Sequence, residues 1–178
     1  LAEDQPEIAC TVIIASPVLG EPELVDLVGR GHGVTRAVIA VRPHLDHRVA
    51  AAVAEVGDEA EILLLLENES AAIGRTALNR ICERFGHVAA VRSLLVQRED
   101  VSGPARHVLV TQLATALAQS GLVQTTVAPS RIDVMSREVC EAAVVSIAAD
   151  MDSAELPTLV EHLRFAGKLT PALLIHAL

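Results

Sequence analysis

The sequence predicts an all-α fold, an α-solenoid of helix pairs followed by a smaller helical group. Apolar helix ends recur at a step of 26 residues, from Ile13 to Ile39 to Leu65, and a step of 29 then reaches Leu94. A period of this length is typical of stacked helical repeats. The composition agrees, because 51% of the residues are hydrophobic but only two are Phe and none is Trp or Tyr. The core must therefore consist of aliphatic residues, which suit close helix packing.

Charge and composition narrow the classes of partner. The formal net charge of −9 argues against nucleic acid, which needs a basic surface, and against anionic membrane surfaces. The sequence contains no run of about 18 apolar residues, so it predicts no membrane span. Cys10, Cys82 and Cys140 lie far apart and form no CxxC motif, so we interpret them as buried free thiols in a reducing compartment. Because Leu1 is not a start methionine, the sequence is interpreted as an excised domain.

Proline and glycine delimit the first helices. Ile8 to Ala15 is predicted as a short helix that ends before Pro17, because proline disfavours helical backbone in the preceding residue. Glu21 to Arg30 is predicted as the next helix, with proline in its first turn and glycine after its end. Thr35 to Val41 begins the second pair, and Asp46 is predicted to cap the helix that completes it.

The third pair contains an apolar run, Ile62 to Leu66, which periodicity alone also allows as a strand. The repeat favours a helix, and Asp58 with Glu61 has the spacing of a capping box at its start. The second helix of this pair is predicted to open at or just after Ser70 and to end at Phe85. Val88 to Gln97 begins the fourth pair.

The later part of the chain departs from the repeat. Ser102 is predicted to cap a helix from Pro104 to Ala118 that Gly121 closes. Residues 123–135 are rich in Thr and contain a proline, which indicates a linker with room for a short extended piece. The predicted organisation is thus a helical repeat array over 1–122, a linker over 123–135 and a C-terminal helical segment over 136–178.

Three helices are expected in that last segment. Ser136 is predicted to cap the first, which runs to about Ala149. Asp152 and Glu155 have capping-box spacing before the second, which stops at Gly167. Thr170-Pro171 opens the third.

Four segments carry a family resemblance. ASPVL, AVRPHL and LLENESA each precede an amphipathic helix, and together with EHLRFAGKLTPALLIHAL they resemble the bacterial family catalogued as domain of unknown function 2336. The likeness covers nearly the whole chain, and its motifs are repeat motifs. The resemblance implies a HEAT-like helical array in a cytoplasmic protein, and it brings no catalytic residues with it.

One polar residue follows the apolar helix end of each predicted pair: Ser16, Arg42, Asn68 and Gln97. Stacked repeats place equivalent residues in a row, so these four are predicted to form a polar ladder along one rim. In one interpretation they only satisfy helix-end carbonyls or the backbone of a neighbouring repeat, as expected without any ligand. In the other, a partner binds along the ladder with Arg42 as its strongest contact, because a guanidinium offers five donors in a fixed fork.

The densest polar cluster lies just beyond Arg42. His44, Asp46 and His47 offer imidazole and carboxylate ligands suited to a divalent metal. The favoured interpretation makes Asp46 a helix cap and the two histidines turn and surface residues, because the sequence names no further ligand nearby. The other histidines, His107 and His162 among them, are scattered along the chain. No cofactor is predicted.

These observations predict a non-enzymatic scaffold or interaction module for a protein or peptide, since stacked repeats create extended concave surfaces. The alternative is a small-ligand or metal-binding sensor or enzyme domain with a site between Arg42 and His47. A nucleic-acid reader is disfavoured by the acidity. The end of the chain is expected to pair with another copy or to be covered by the preceding helices, because it is rich in apolar residues. These are Leu169, Leu173, Leu174 and Leu178.

Overall fold

The computed structural model describes residues 6–16 and 18–169, a part of the chain that contains eleven helices and no strand. The all-α prediction is therefore confirmed. In chain order the helices are α1 (Pro6–Ala15), α2 (Glu21–Arg30), α3 (Gly33–Ala40), α4 (His47–Val56), α5 (Glu59–Glu67), α6 (Arg75–Phe85), α7 (Ala89–Val96), α8 (Gly103–Ala118), α9 (Gly121–Thr126), α10 (Pro129–Asp150) and α11 (Leu156–Phe165). They fall into two compact units, Leu1–Asp100 and Val101–Leu178.

The first unit is built from two layers of helices. In the odd layer, α1, α3, α5 and α7 pack side by side in that order, and in the even layer α2, α4 and α6 do the same. The layers also contact each other, because α3 packs on α2 and α4, α5 on α4, and α7 on α6. Packing of each helix against the one two places along the chain is compatible with the predicted solenoid.

The core of the first unit follows the repeat with one change of register. Ile13, Ile39 and Leu65 are buried at matching positions of α1, α3 and α5, as the step of 26 predicts. In α7 the buried residue is Leu95, whereas Leu94 is only half-buried. The last step is thus 30 residues rather than 29, because the turn between α6 and α7 holds one residue more than the sequence pattern suggested.

Capping side chains start two of these helices as predicted. The Asp46 carboxylate accepts a hydrogen bond from the Arg48 N–H at 2.9 Å and so begins α4. At α5 the capping box of Asp58 and Glu61 is complete, with the Glu61 carboxylate accepting from the Asp58 N–H at 2.7 Å. The run from Ile62 to Leu66 is accordingly helical, and not a strand.

The turn between α5 and α6 differs from the prediction. α6 begins at Arg75 and not near Ser70, because the Asn68 side chain accepts from both the N–H and the hydroxyl of Ser70 and folds the chain back. The Ala72 N–H then donates to the Leu45 carbonyl at 2.9 Å. Ile73 is buried although it lies outside any helix.

In the second unit, the segment expected to be a linker is helical. Ser120 caps α9 by accepting from the Val123 N–H at 3.4 Å, so its neighbour Gly121 starts a helix instead of closing one. Pro129 starts α10, where its fixed φ suits the first helical turn. Ser136 consequently lies inside α10 and caps nothing. The short extended piece expected within 123–135 is replaced by the end of α9 and the start of α10.

The remaining helices of this unit enclose a small core. α8 starts at Gly103 with Ser102 as its cap, as predicted. α11 begins at Leu156 without a side-chain cap, so the predicted capping box of Asp152 and Glu155 is wrong. The helix stops before Gly167, as predicted, and this glycine adopts a φ of 64°, which suits a residue without Cβ. The core consists of Val144, Ile147, Leu159 and Leu163.

Candidate interaction surface

The Arg42 side chain ties the second helix pair to the first. Its guanidinium donates to the carbonyl of Ile13, to that of Ser16 at 2.7 Å and, more weakly, to that of Ile14 at 3.4 Å. These carbonyls lie at the end of α1, where no helical N–H is available to them. The contacts correspond to the structural interpretation of the ladder, in which polar side chains satisfy the backbone of a neighbouring repeat.

Asn68 joins the third helix pair to the second in the same way. Its side-chain amide donates to the carbonyls of Ala40 and Arg42, each at 2.8 Å, and so closes the end of α3. Arg42 and Asn68 therefore form a chain of contacts in which each pair binds the helix end of the preceding pair. Ser16 takes part through its backbone, while its hydroxyl accepts from the Val18 N–H at 3.3 Å.

Arg98, and not Gln97, occupies the matching position after α7. The N–H groups of Arg42, Asn68 and Arg98 donate to the carbonyls of the buried Ile39, Leu65 and Leu95, three residues earlier in each case. The Arg98 guanidinium forms a bidentate pair with the Asp100 carboxylate at 2.9 and 2.7 Å. Gln97 is exposed, so the four ladder residues of the sequence prediction do not all occupy one position.

The cluster around Asp46 is occupied by structural contacts. Its carboxylate serves as the cap of α4 and lies 3.1 Å from Nδ1 of His47. His44 is exposed and adopts a φ of 52°, while its N–H donates to the Ser70 hydroxyl at 3.1 Å. Among the described residues, no group of three or more His, Cys, Asp or Glu side chains is arranged to hold a metal ion.

The outer side of the even layer is charged and held by ion pairs between neighbouring helices. Arg48 of α4 meets Glu21 of α2 at 2.9 Å, and Arg80 of α6 forms a bidentate pair with Glu55 of α4 at 2.8 and 2.9 Å. The hydrogen bonds from Arg80 lower the pKa of Glu55. Arg84 adds a bond to the Ala54 carbonyl at 2.7 Å. This side of the unit therefore resembles an ordinary solvated surface with its charges paired.

The outer side of the odd layer is apolar. We call it the odd-layer face and define it by four positions that recur in three helices at steps of 26 and 30 residues, none of them buried. Its members are Val34, Ala37, Val38 and Val41 at α3, Ala60, Leu63, Leu64 and Glu67 at α5, and Ala90, Ser93, Leu94 and Gln97 at α7. Val34 is 62% exposed and Val41 41%. Nine of these side chains are Val, Ala or Leu, and Glu67 is the only charged one.

This face is the feature that the sequence reasoning missed, although the repeat contained the signal. The spacing of i, i+3, i+4 and i+7 within each helix marks one side of a helix, and the repeat places the same side of each helix in the same direction. The structure confirms that Ile39 and Leu65 face inward, and it leaves Val38 and Leu64 half-buried on the outer side.

A concave feature lies in the second unit. A cleft of about 980 Å³ opens between α8 and α10, and its lining includes Thr111, Ser136, Cys140 and Lys168. His107, which is buried, lies at its wall with Nδ1 3.2 Å from Nε2 of His162. Burial lowers the pKa of His107, and positive charge on His162 and Lys168 lowers it further.

Sequence reasoning treated these two histidines as scattered, because they are far apart in the chain and no repeat relates them.

One of the three cysteines is deeply placed: burial raises the pKa of the Cys82 thiol to about 12, which makes it unreactive at neutral pH. Cys10 and Cys140 are only half-buried, so the expectation of three buried thiols holds for Cys82 alone.

No helix in the described part of the chain is both long enough and apolar enough to span a bilayer.

Of the apolar residues at the end of the chain that were expected to pair with another copy or to be covered, Leu173, Leu174 and Leu178 lie outside the described residues. The helix predicted at Thr170-Pro171 lies outside them as well. Leu169 packs partly buried against the core of the second unit.

Comparison with known proteins identifies a family. A family model described as an uncharacterised protein conserved in bacteria, DUF2336, matches residues 8–178. No curated protein and no solved structure matches the chain. The family match confirms the resemblance that the repeat motifs indicated.

Proposed function

The chain belongs to this uncharacterised bacterial family, and from its structure we propose that it is a non-enzymatic interaction module of the cytoplasm. In this proposal the first unit is a HEAT-like array that binds a protein or peptide. The binding surface is the odd-layer face, and the polar ladder has the structural role of joining successive pairs. Arg42 then contributes to binding only by holding α3 in place.

The contrast between the two outer sides of the first unit carries the proposal. On the even layer, charged side chains from neighbouring helices pair with one another. On the odd-layer face, apolar residues from three helices are exposed or half-buried, including Val34, Leu64 and Ala90. Exposed apolar surface that extends over several elements marks interaction sites in soluble proteins. Helical arrays use such extended surfaces for binding.

The alternative site between Arg42 and His47 receives less support. The Arg42 guanidinium is directed to backbone carbonyls of α1 and the following turn, and the Asp46 carboxylate caps α4. A ligand that used either group would have to replace bonds that hold the helix ends. The odd-layer face needs no such exchange, because its apolar side chains make no hydrogen bonds and none of them is buried.

The test compares two arginine substitutions at exposed or half-exposed helical sites. Leu64→Arg places a charge within the odd-layer face, and Ala51→Arg places the same charge on the exposed side of α4 in the even layer. Partners bound to each variant and to the wild type are quantified by affinity capture and mass spectrometry, after circular dichroism shows equal folding. We expect Leu64→Arg to remove partners that Ala51→Arg retains. Equal recovery with both variants would refute the proposed surface.

A further inference from the structure

We propose that the occupant of the odd-layer face is an amphipathic helix with a small aliphatic stripe and a basic residue that pairs with Glu67. This inference rests on the proposed function and specifies the chemistry of the partner. Three arguments carry it: the size of the side chains on the face, the lack of an ion-pair partner for its one carboxylate among the described residues, and the hydrogen bonds that a bound peptide backbone needs.

The side chains of the face leave room for another helix to approach. Val34, Ala60 and Ala90 share one position of the face and Val38, Leu64 and Leu94 another, so a row of mostly small residues lies beside a row of larger ones. Helices pack by fitting the side chains of one into the grooves of the other, and small residues at the contact shorten the distance between axes. The complementary surface is therefore a helix stripe of Leu, Ile, Val or Ala.

The single charge on the face is unpaired. Glu67 belongs to α5, the middle helix of the three, and occupies the position equivalent to Val41 and Gln97. Its side chain is exposed. Neither Glu67 nor the nearby Glu69 has an ion-pair partner within residues 6–16 and 18–169. Carboxylates of the even layer, by contrast, pair with arginines of the same unit. A free carboxylate beside aliphatic side chains suits a Lys or Arg whose stem covers apolar surface while its head reaches the charge.

The backbone of the partner favours a helix over an extended segment. A helix satisfies its own N–H and C=O groups, whereas an extended peptide needs a strand edge to pair with. The described residues contain no strand, and helix ends of the odd layer already receive bonds from Arg42 and Asn68. An apolar face of this kind is thus suited to the helix-in-groove mode of recognition.

The probes are two synthetic peptides of about 18 residues, long enough to form a helix. Both carry the same Leu and Ala stripe, and they differ only in the residue beside it, which is Lys in one and Glu in the other. Binding to the full 178-residue chain is measured by fluorescence anisotropy. We expect the wild type to bind the Lys peptide more tightly, and Glu67→Lys to reverse this preference.

The expected change for each peptide is about threefold to tenfold at low salt, the range for reversing one exposed ion pair. Glu138→Lys, an equal charge change on the exposed side of α10 in the second unit, is the control and should leave the preference unchanged. The same response in Glu138→Lys and Glu67→Lys would overturn the assignment of Glu67, because only net charge would then matter.

A further variant, Leu64→Gln, separates this inference from the proposed function. It keeps the size and charge of the site while making it polar, and it should weaken binding of both peptides. If Leu64→Gln weakens both but Glu67→Lys leaves the preference as it was, the surface stands and the basic residue is wrong. If Leu64→Gln changes neither, helix binding at this face is wrong.

Discussion

The Arg42 guanidinium supplies hydrogen bonds that α1 cannot make for itself at its C-terminal end. We expect Arg42→Ala to lower the free energy of unfolding by about 1.5–3 kcal/mol, because part-buried carbonyls of Ile13 and Ser16 lose a charged donor. Arg48→Ala is the matched control, since its pair with Glu21 is exposed and is worth about 0–1 kcal/mol. Urea unfolding measures both. Equal losses would show that the Arg42 bonds add nothing beyond a surface ion pair.

Two glycines make a similar comparison at the scale of one atom. A Cβ on Gly33 would lie 2.9 Å from Oε1 of Glu61, a buried carboxylate already fixed by the capping box of α5. Gly33→Ala should therefore destabilise the protein by about 1–3 kcal/mol, as overpacking does. Apart from its two chain neighbours and the nearby backbone of its own helix, Gly29 in α2 has no atom within 4 Å of a new Cβ. Gly29→Ala should instead stabilise by about 0.4–1 kcal/mol. Thermal melts that move in the same direction for both would contradict this.

Among the elements, α7 tests the register of the whole array. Leu95→Ala should cost about 2–5 kcal/mol because this side chain is fully buried, and Leu94→Ala should cost less than half as much. Leu65→Ala in α5 should match Leu95→Ala, since the two residues hold equivalent places. Chemical unfolding of the three variants gives the answer, and a larger loss for Leu94→Ala would restore the step of 29.

The second unit contains an element contact that depends on pH. Nδ1 of His107 in α8 lies 3.2 Å from Nε2 of His162 in α11, with Lys168 as a further nearby cation, so the folded state disfavours a proton on His107. The pKa of His107 is lower in the folded chain than in the unfolded one. Stability should therefore fall as the pH drops below about 6.5, where the unfolded chain binds the proton, until the folded pKa is passed.

Melting temperatures between pH 7.5 and pH 5 measure this effect. His107→Gln should flatten the profile, because the group whose pKa is lowered is gone. His87→Gln, a change at an exposed histidine of the first unit, should leave it as it is. A wild-type profile no steeper than that of His107→Gln would show that the pair does not control acid stability.

Some elements could be predicted because their signals are local. Asp46 predicts the start of α4, and the pair of Asp58 and Glu61 predicts the start of α5, each from residues within one helical turn. The structure confirms both helix starts. The start of α10 carried a local signal too, proline at its first position, but the Thr-rich residues before it were given more weight. The contact of His107 with His162 joins helices that share no repeat, so no pattern along the chain reveals it.

Considered as a whole, the first unit combines a predictable skeleton with an unpredicted surface. The steps of 26 residues identified the stacking of Ile13, Ile39 and Leu65, since burial repeats wherever packing repeats. The same step joins Val38 to Leu64, and because neighbouring residues point in different directions on a helix, these two residues fall on the outer side. Only the inward series was followed along the sequence, so the odd-layer face was not predicted.

The contacts of Arg42 and Asn68 also bear on how such a chain can lengthen. Each of these side chains closes the helix end of the preceding pair, about 26 residues earlier. A tandem copy of one pair, inserted in frame, would carry its own donor for the pair before it and offer its own carbonyls to the pair after it. Gene duplication could therefore add pairs without new compensating mutations, provided that the third residue after the buried aliphatic one is an Arg or Asn with the same reach.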